Sequence, residues 1–311
     1  MAGAKPSDGA LAQAMHLVRT RPGVVGVDYG FVYKNGVRMK ATGIRFHVAE
    51  KLPLSKLPPE HVLPTKFRNS RCDVIEAMYS LHASPRAQCD PLQLGVSVGN
   101  VQRLTTGTMG PCVRDHLSGK AGFISNWHVL CGAPDARAGE PISQPGPADL
   151  GSQPARIVGA LERWAPLDAG CDAALVLLAE GISEHQSIFG SAVAVSGIAT
   201  SRLGMHVMKF GVTSLLTRGL VDGIGGSFRI DYSNFGDTIR WIDGIRIIAD
   251  PDKPDPEVSL AGDSGAAWVD AKTRAFVALH FAGEDGLGPT ADYALAQPIQ
   301  RVLKLLDVDP L

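Results

Sequence analysis

Short apolar runs recur through the last two thirds of the chain, at 95–98, 121–125, 173–178, 193–195, 207–210, 239–248, 266–269 and 276–281. Gly, Pro, Asn and Asp clusters separate them. Runs of this length between turn residues predict strands, and so many of them predict a barrel or sandwich. Over 297–306 the period changes. Ile299, Val302, Leu303 and Leu306 fall on one helical face, which predicts a terminal helix. The leading segment reads differently. Leu11, Met15, Leu17 and Val18 predict a short amphipathic helix stopped by Arg21-Pro22-Gly23. A strand over 24–33, the Asn35-Gly36 turn signal and a returning strand over 41–48 predict a hairpin. Pro53, Pro58, Pro59 and Pro64 mark 51–64 as an extended connector, and a last strand is expected over 74–81. The expected fold class is mainly β. Residues 1–88 form a small α+β domain with its connector, and 89–311 a β-rich domain closed by a helix.

Composition narrows the function classes. A chain of 311 residues makes about two domains and buries a full core without staples. Thirty basic and thirty-one acidic residues leave a net charge of −1. That balance gives no footprint for nucleic acid or for an anionic membrane. No apolar run is long enough to span a bilayer, and 1–10 lacks the apolar stretch of a secretory leader. The expected compartment is therefore the cytoplasm. The five cysteines are odd in number and show no CxxC spacing, so reduced thiols are expected, with no metal and no cofactor. A Cys112–Cys131 pair across a barrel is the alternative.

Three local patterns carry chemistry. In Ala261-Gly262-Asp263-Ser264-Gly265, glycines flank a serine, which permits a tight turn with an exposed hydroxyl and inward-facing N–H groups. The same string also suits an ordinary loop. His128, at the end of the apolar run 121–125, has the basicity to take a proton from a hydroxyl, or is a core or cap histidine. Asp172 stands just before the apolar run 173–178, where a carboxylate is costly unless it is hydrogen-bonded. Orienting an imidazole would satisfy it, and a turn aspartate reads as well in isolation.

The set decides between these readings. The order is His128, Asp172, Ser264, with gaps of 44 and 92 residues. Chymotrypsin runs in the same order with gaps of about 45 and about 93. At this point the chain resembles a trypsin-like serine peptidase of the chymotrypsin fold over about residues 92–290. The segments Gly23-Val24-Val25-Gly26-Val27, Lys51-Leu52-Pro53-Leu54-Ser55 and Lys209-Phe210-Gly211-Val212-Thr213 narrow the resemblance. They look like an intracellular subgroup that includes the plant Narrow Leaf-type proteins and bacterial relatives.

The resemblance implies a double β-barrel acting on protein or peptide substrates. In it Ser264 is the nucleophile, His128 the general base, and Asp172 the group that fixes the histidine tautomer. The N–H groups of Gly262 and Ser264 form the oxyanion hole. The strand over 278–283, with His280, Phe281 and Ala282, lines the primary substrate pocket, and Val258 sits near its base. An apolar residue there predicts preference for apolar or small side chains. Asp263 is expected to be paired inside the protein, so that the uncut chain is competent. His280 reads as a half-buried strand residue, and Trp164, Trp241 and Trp268 as packing residues. Gly223-Ile224-Gly225-Gly226 reads as a hairpin turn. The alternative function is a weak or inactive peptidase-fold binding module. An esterase ranks third, since the GxSxG elbow is absent. A homo-oligomer is compatible with the sequence.

Overall fold

The computed structural model describes residues 8–19, 21–34, 37–77, 79, 84–191, 194–252, 257–284 and 292–311. The chain divides between residues 81 and 82 into two compact units.

The first unit packs helix α1 (Asp8–Val18) on a four-stranded sheet. Its strands are β1 (Val24–Lys34), β2 (Val37–Val48), β3 (Lys66–Phe67) and β4 (Ser70–Glu76), in the order β1-β2-β4-β3. Ala10 and Ala14 lie one helical turn apart and bury against Ile44 and Phe46 of β2. Lys34 pairs with Val37 across the expected hairpin, while Asn35 and Gly36 themselves lie outside the described residues. The last strand begins earlier than expected, at Ser70, and ends at Glu76; positions 78 and 80–83 lie outside the described residues. The proline connector is not wholly extended. It carries two short 3-10 turns, Leu54–Lys56 and Pro59–His61, each entered through a proline.

The second unit is almost entirely β. Its first half comprises β5 (Leu92–Leu94), β6 (Ser97–Asn100), β7 (Gly107–Thr108), β8 (Cys112–Asp115), β9 (Ala121–Ser125), the one-turn helix α2 (Trp127–Leu130), β10 (Pro141–Ser143), β11 (Ile157–Trp164), β12 (Ala174–Leu178) and β13 (Glu184–Ile188). Its second half comprises β14 (His206–Gly211), β15 (Leu215–Asp231), β16 (Ile239–Ala249), β17 (Ala267–Asp270), β18 (Phe276–Gly283), β19 (Tyr293–Pro298), α3 (Ile299–Leu306) and β20 (Val308–Pro310). Strands β14 to β19 close a barrel in the order β14-β15-β16-β19-β18-β17. The first half curls into an eight-stranded sheet, β20-β8-β9-β12-β11-β10-β6-β7. The terminal strand β20 joins that sheet after α3 has packed Ile299, Val302, Leu303 and Leu306 into the core.

Register places the chemistry. Strands β9 and β12 pair antiparallel with Ser125 opposite Ala174 and Ile124 opposite Leu175. The residues just beyond Ser125 and just before Ala174 are thereby brought to one rim. The closed barrel holds a long hairpin, β15–β16, in which Asp231 pairs with Ile239 at the tip.

Three expectations are corrected. Gly223–Gly226 is not a turn but lies inside β15, where the ladder to β16 shifts register at Val221/Gly223 and again at Gly223/Gly226. Glycines that would permit a reversal here permit bulges, and the strand continues through them. Trp241 is 61% exposed on β16 and packs no core. His280 is buried rather than half-buried, at 2% exposure. The strand expected over 193–195 lies partly outside the described residues; Ala194 makes an isolated bridge to Ser187. All five cysteines are free, Cys112 and Cys131 included. Among the described residues no helix is long and apolar enough to cross a membrane.

Candidate active site

Strand β9 ends at Ser125, and Asn126 turns the chain into α2, so His128 sits on a helical turn and not on the strand itself. Asp172 is fully buried before β12. The two meet. His128 Nδ1 lies 2.6 Å from Asp172 Oδ2, and the His128 backbone N–H donates to Oδ1 at 3.2 Å. Three further side chains hold the aspartate. Gln297 accepts from the Asp172 N–H at 2.7 Å and donates to its carbonyl at 2.8 Å, while Asn126 Nδ2 donates to that carbonyl at 2.7 Å. The Tyr232 hydroxyl, from the tip of the β15–β16 hairpin, donates to Asp172 Oδ2 at 2.7 Å. Burial, and then the Asp172 charge, hold the Tyr232 phenol far above its usual range, so it remains a donor. The rings of Tyr232 and Phe235 lie 6.4 and 5.4 Å from the His128 ring.

Ser264 stands on a turn before β17 and is partly exposed. Thr108 staples this turn. Its N–H donates to the Ser264 carbonyl at 2.8 Å, and its Oγ1 donates to the Gly262 carbonyl at 2.7 Å and accepts from the Val212 N–H at 3.1 Å. Gly262 and Gly265 both have positive φ, +99° and +93°, which other residues adopt only under strain. A Cβ on Gly265 would also collide with Ser125 Oγ and the Thr108 carbonyl.

The turn therefore lies against the end of β9, which feeds His128. Gly107 bridges the two sides: a Cβ there would lie 2.5 Å from Val129 and 3.0 Å from the Ser264 carbonyl. Among the described residues, neither the Ser264 hydroxyl nor His128 Nε2 has a hydrogen-bond partner, and no bond joins them. The N–H groups of Gly262 and Ser264 are likewise without acceptors among the described residues, whereas the intervening Asp263 N–H is taken by Leu260.

Asp263 is buried and paired inside the unit. Lys209 Nζ lies 2.8 Å from its Oδ2, and both side chains are fully withdrawn from water. Ser214 Oγ donates to the same oxygen at 2.5 Å, and the N–H groups of Thr213 and Ser214 reach Oδ1 at 3.0 Å each. Burial alone would raise this carboxyl, but the Lys209 charge and these bonds outweigh it and hold the group at about 2.

Of the residues expected to line a substrate pocket, Val258, His280 and Phe281 are buried and Ala282 is half-buried. His280 bonds Gly265 and Ala266 through its backbone, which lays β18 beside the serine turn. Burial, then the Lys209 charge, pulls its imidazole down to about 3, and its Nδ1 is buried without a partner among the described residues. Phe281 is buried in the core, while Ala282 is half-buried. Val258 is fully buried among Trp268, Val277 and Ala278, and its N–H donates to the Asp292 carboxylate. Burial raises Asp292, and the charges of Glu257 and Glu284 add to that. Among the described residues, one group of side chains has spacings suited to a metal, His206, Asp250 and Asp252, and it contains none of the candidate site residues.

Sequence reasoning missed Lys209, Thr108, Tyr232, Gln297, Asn126 and Asp292. Lys209 carried a signal, a lone charge inside the run Val207-Met208-Lys209-Phe210. Tyr232 carried none, since only the hairpin's reach brings it to Asp172.

No protein-family model matches the chain, and no curated protein matches it. Solved structures do. One is a glutamic acid-specific serine protease that uses a histidine triad in substrate binding; it is 20% identical, with 71% of this chain and 100% of that chain covered and a TM-score of 0.51. Another is Thermobifida fusca protease A, 17% identical over 71% of this chain and 99% of that one, with a TM-score of 0.49. A Cellulomonas bogoriensis chymotrypsin is 19% identical over 71% and 99%, with a TM-score of 0.47. These relatives are chymotrypsin-fold serine proteases. The first of these, with its TM-score of 0.51, shows the fold: a chymotrypsin-like double barrel, here with a small α+β part ahead of it in the chain.

Proposed function

We propose that this protein is a serine endopeptidase in which His128, Asp172 and Ser264 act together. The observation that carries this reading is the 2.6 Å bond from His128 Nδ1 to a fully buried Asp172, which leaves Nε2 as the free, basic nitrogen. In the proposed reaction His128 Nε2 takes the Ser264 proton as Oγ bonds to the scissile carbonyl carbon. The carbonyl oxygen becomes an oxyanion facing the N–H groups of Gly262 and Ser264. Collapse breaks the C–N bond, and the proton on Nε2 passes to the leaving amine. Water then adds to the acyl-enzyme by the same route and releases Ser264. The absence of a Ser264–His128 bond does not oppose this, because such bonds commonly tighten only with substrate bound.

Competence without processing forms part of the reading. Asp263, beside the nucleophile, already has its counter-charge in Lys209, so no newly released amine is needed to order the turn. The finer grouping with the intracellular Narrow Leaf-type proteins rests on the segments at 23–27, 51–55 and 209–213. A domain boundary near residue 88 is proposed with it, at the end of the stretch that joins the two units.

A fluorophosphonate probe tests the proposal. Labelling of the intact chain that disappears in Ser264→Ala supports it. An intact, folded chain that takes no label points instead to the binding module.

A further inference from the structure

We infer that Tyr232 is a positioning residue of this site: its hydroxyl, delivered from the other barrel by the β15–β16 hairpin, sets the orientation and charge of Asp172 and through it the basicity of His128. The inference rests on the proposed peptidase reading. It adds a member to the site that neither motif nor spacing contains.

Three observations support it. The Tyr232 hydroxyl and His128 Nδ1 share one oxygen, Asp172 Oδ2, at 2.7 and 2.6 Å. Tyr232 is almost wholly buried, at 2% exposure, so that bond has no competition from water. The ring is also fixed on its other sides. It meets Trp127 edge-on at 6.0 Å and Phe235 at 6.4 Å, and the hairpin tip turns through Ser233–Phe235 immediately after it. A phenol held this way has one use for its proton. Donating it disperses negative charge from the oxygen that polarises the imidazole, and it prevents the carboxylate from rotating away.

The other titratable groups facing this trio are Cys131 behind α2, Cys171 before Asp172, Asp237 at the hairpin tip and His280 on β18. Burial keeps both thiols and His280 neutral around neutrality, and the Arg240 bond keeps Asp237 ionised.

The test is Tyr232→Phe in the full chain, with two readouts. Without its donor, Asp172 bears a more concentrated charge and stabilises the imidazolium more. The His128 titration midpoint, followed by NMR in a Ser264→Ala background, is expected to rise, and the acid limb of kcat/KM to move up with it. A hydrogen bond to a charged group commonly carries about tenfold to a hundredfold, so kcat should fall by about that factor with KM little changed. Fluorotyrosine at position 232 keeps the ring and strengthens the donor, and it is expected to move the midpoint down. It serves if Tyr232→Phe does not fold. An unchanged midpoint in whichever variant folds overturns the inference. The NMR titration needs no turnover, so a protein that fails to hydrolyse peptides would sink the peptidase reading while leaving this measurement decisive.

Discussion

The Lys209 ammonium lies 2.8 Å from the Asp263 carboxylate in a space that water does not reach, one residue before the proposed nucleophile. Breaking such a pair by removing one partner leaves an uncompensated buried charge and typically costs about 3–5 kcal/mol. Lys209→Met is therefore expected to lower unfolding free energy by that order in urea titrations. It should also cut turnover more than stability alone explains, because Asp263 anchors the 213–214 N–H groups and the serine turn. Adding Asp263→Asn to it should recover part of the stability. A Lys209→Met chain as stable as the parent would show that the pair is dispensable.

In Asp172→Asn the side-chain oxygen keeps the bond from the His128 backbone N–H, while the amide NH2 replaces Oδ2 and donates to His128 Nδ1, which holds the imidazole in the wrong tautomer. In the chymotrypsin triad the same change lowers kcat by about 10⁴. A comparable fall at neutral pH is expected here, measured on a protein whose circular dichroism is unchanged.

Thr108→Val preserves shape and deletes the hydroxyl that serves both Gly262 and Val212. The half-buried Gly262 carbonyl and the buried Val212 N–H lose their partner, and the unsatisfied buried N–H alone costs about 1–3 kcal/mol. The consequence should appear as lower stability together with slower fluorophosphonate labelling. Normal labelling kinetics would show that the staple is not needed for the serine turn.

Acid should unfold this protein in two stages. His280 sits near 3 against an ordinary 6.5, so the unfolded chain binds its proton first, and stability falls as pH drops below 6.5. Asp263 is held near 2 against 3.8, as is Asp115, where burial opposes but the Arg163 and Ser118 bonds prevail. The stability these carboxylates contribute is complete above 3.8 and is lost as pH falls from there toward 2. A plot of Tm against pH should decline gently and then steeply, and His280→Leu should flatten the gentle limb alone.

Thiol chemistry offers an independent check on the core. Burial pushes Cys171 up to about 12 and Cys112 and Cys131 higher still, whereas Cys72 and Cys89 are partly exposed. In native protein at mild alkaline pH, Ellman's reagent should modify only the last two promptly, and all five after unfolding. Fast reaction of three or more native thiols would contradict this packing.

Much of this was legible along the chain. The apolar runs at 121–125, 173–178, 207–210, 266–269 and 276–281 each lie within a residue or two of an observed strand, because a strand's burial is written in adjacent side chains. The helix at 299–306 showed its buried face in the same way. Gly223–Gly226 misled, since the same absence of Cβ permits a turn or a bulge and only the partner strand chooses between them. Trp241 misled because a large ring on a strand faces core or water according to which sheet lies beside it.

Order and spacing of His128, Asp172 and Ser264 were written in the primary structure, as was the turn chemistry of the two glycines around the serine. Those are local or countable properties. The partners that tune them were not. Lys209 finds Asp263 across 54 positions, Tyr232 finds Asp172 across 60, and Gln297 across 125. Contacts at such separations exist only once two β-layers have closed on each other. Burial then turns an ordinary lysine or phenol into a partner that water cannot replace, and no stretch of adjacent residues carries that information.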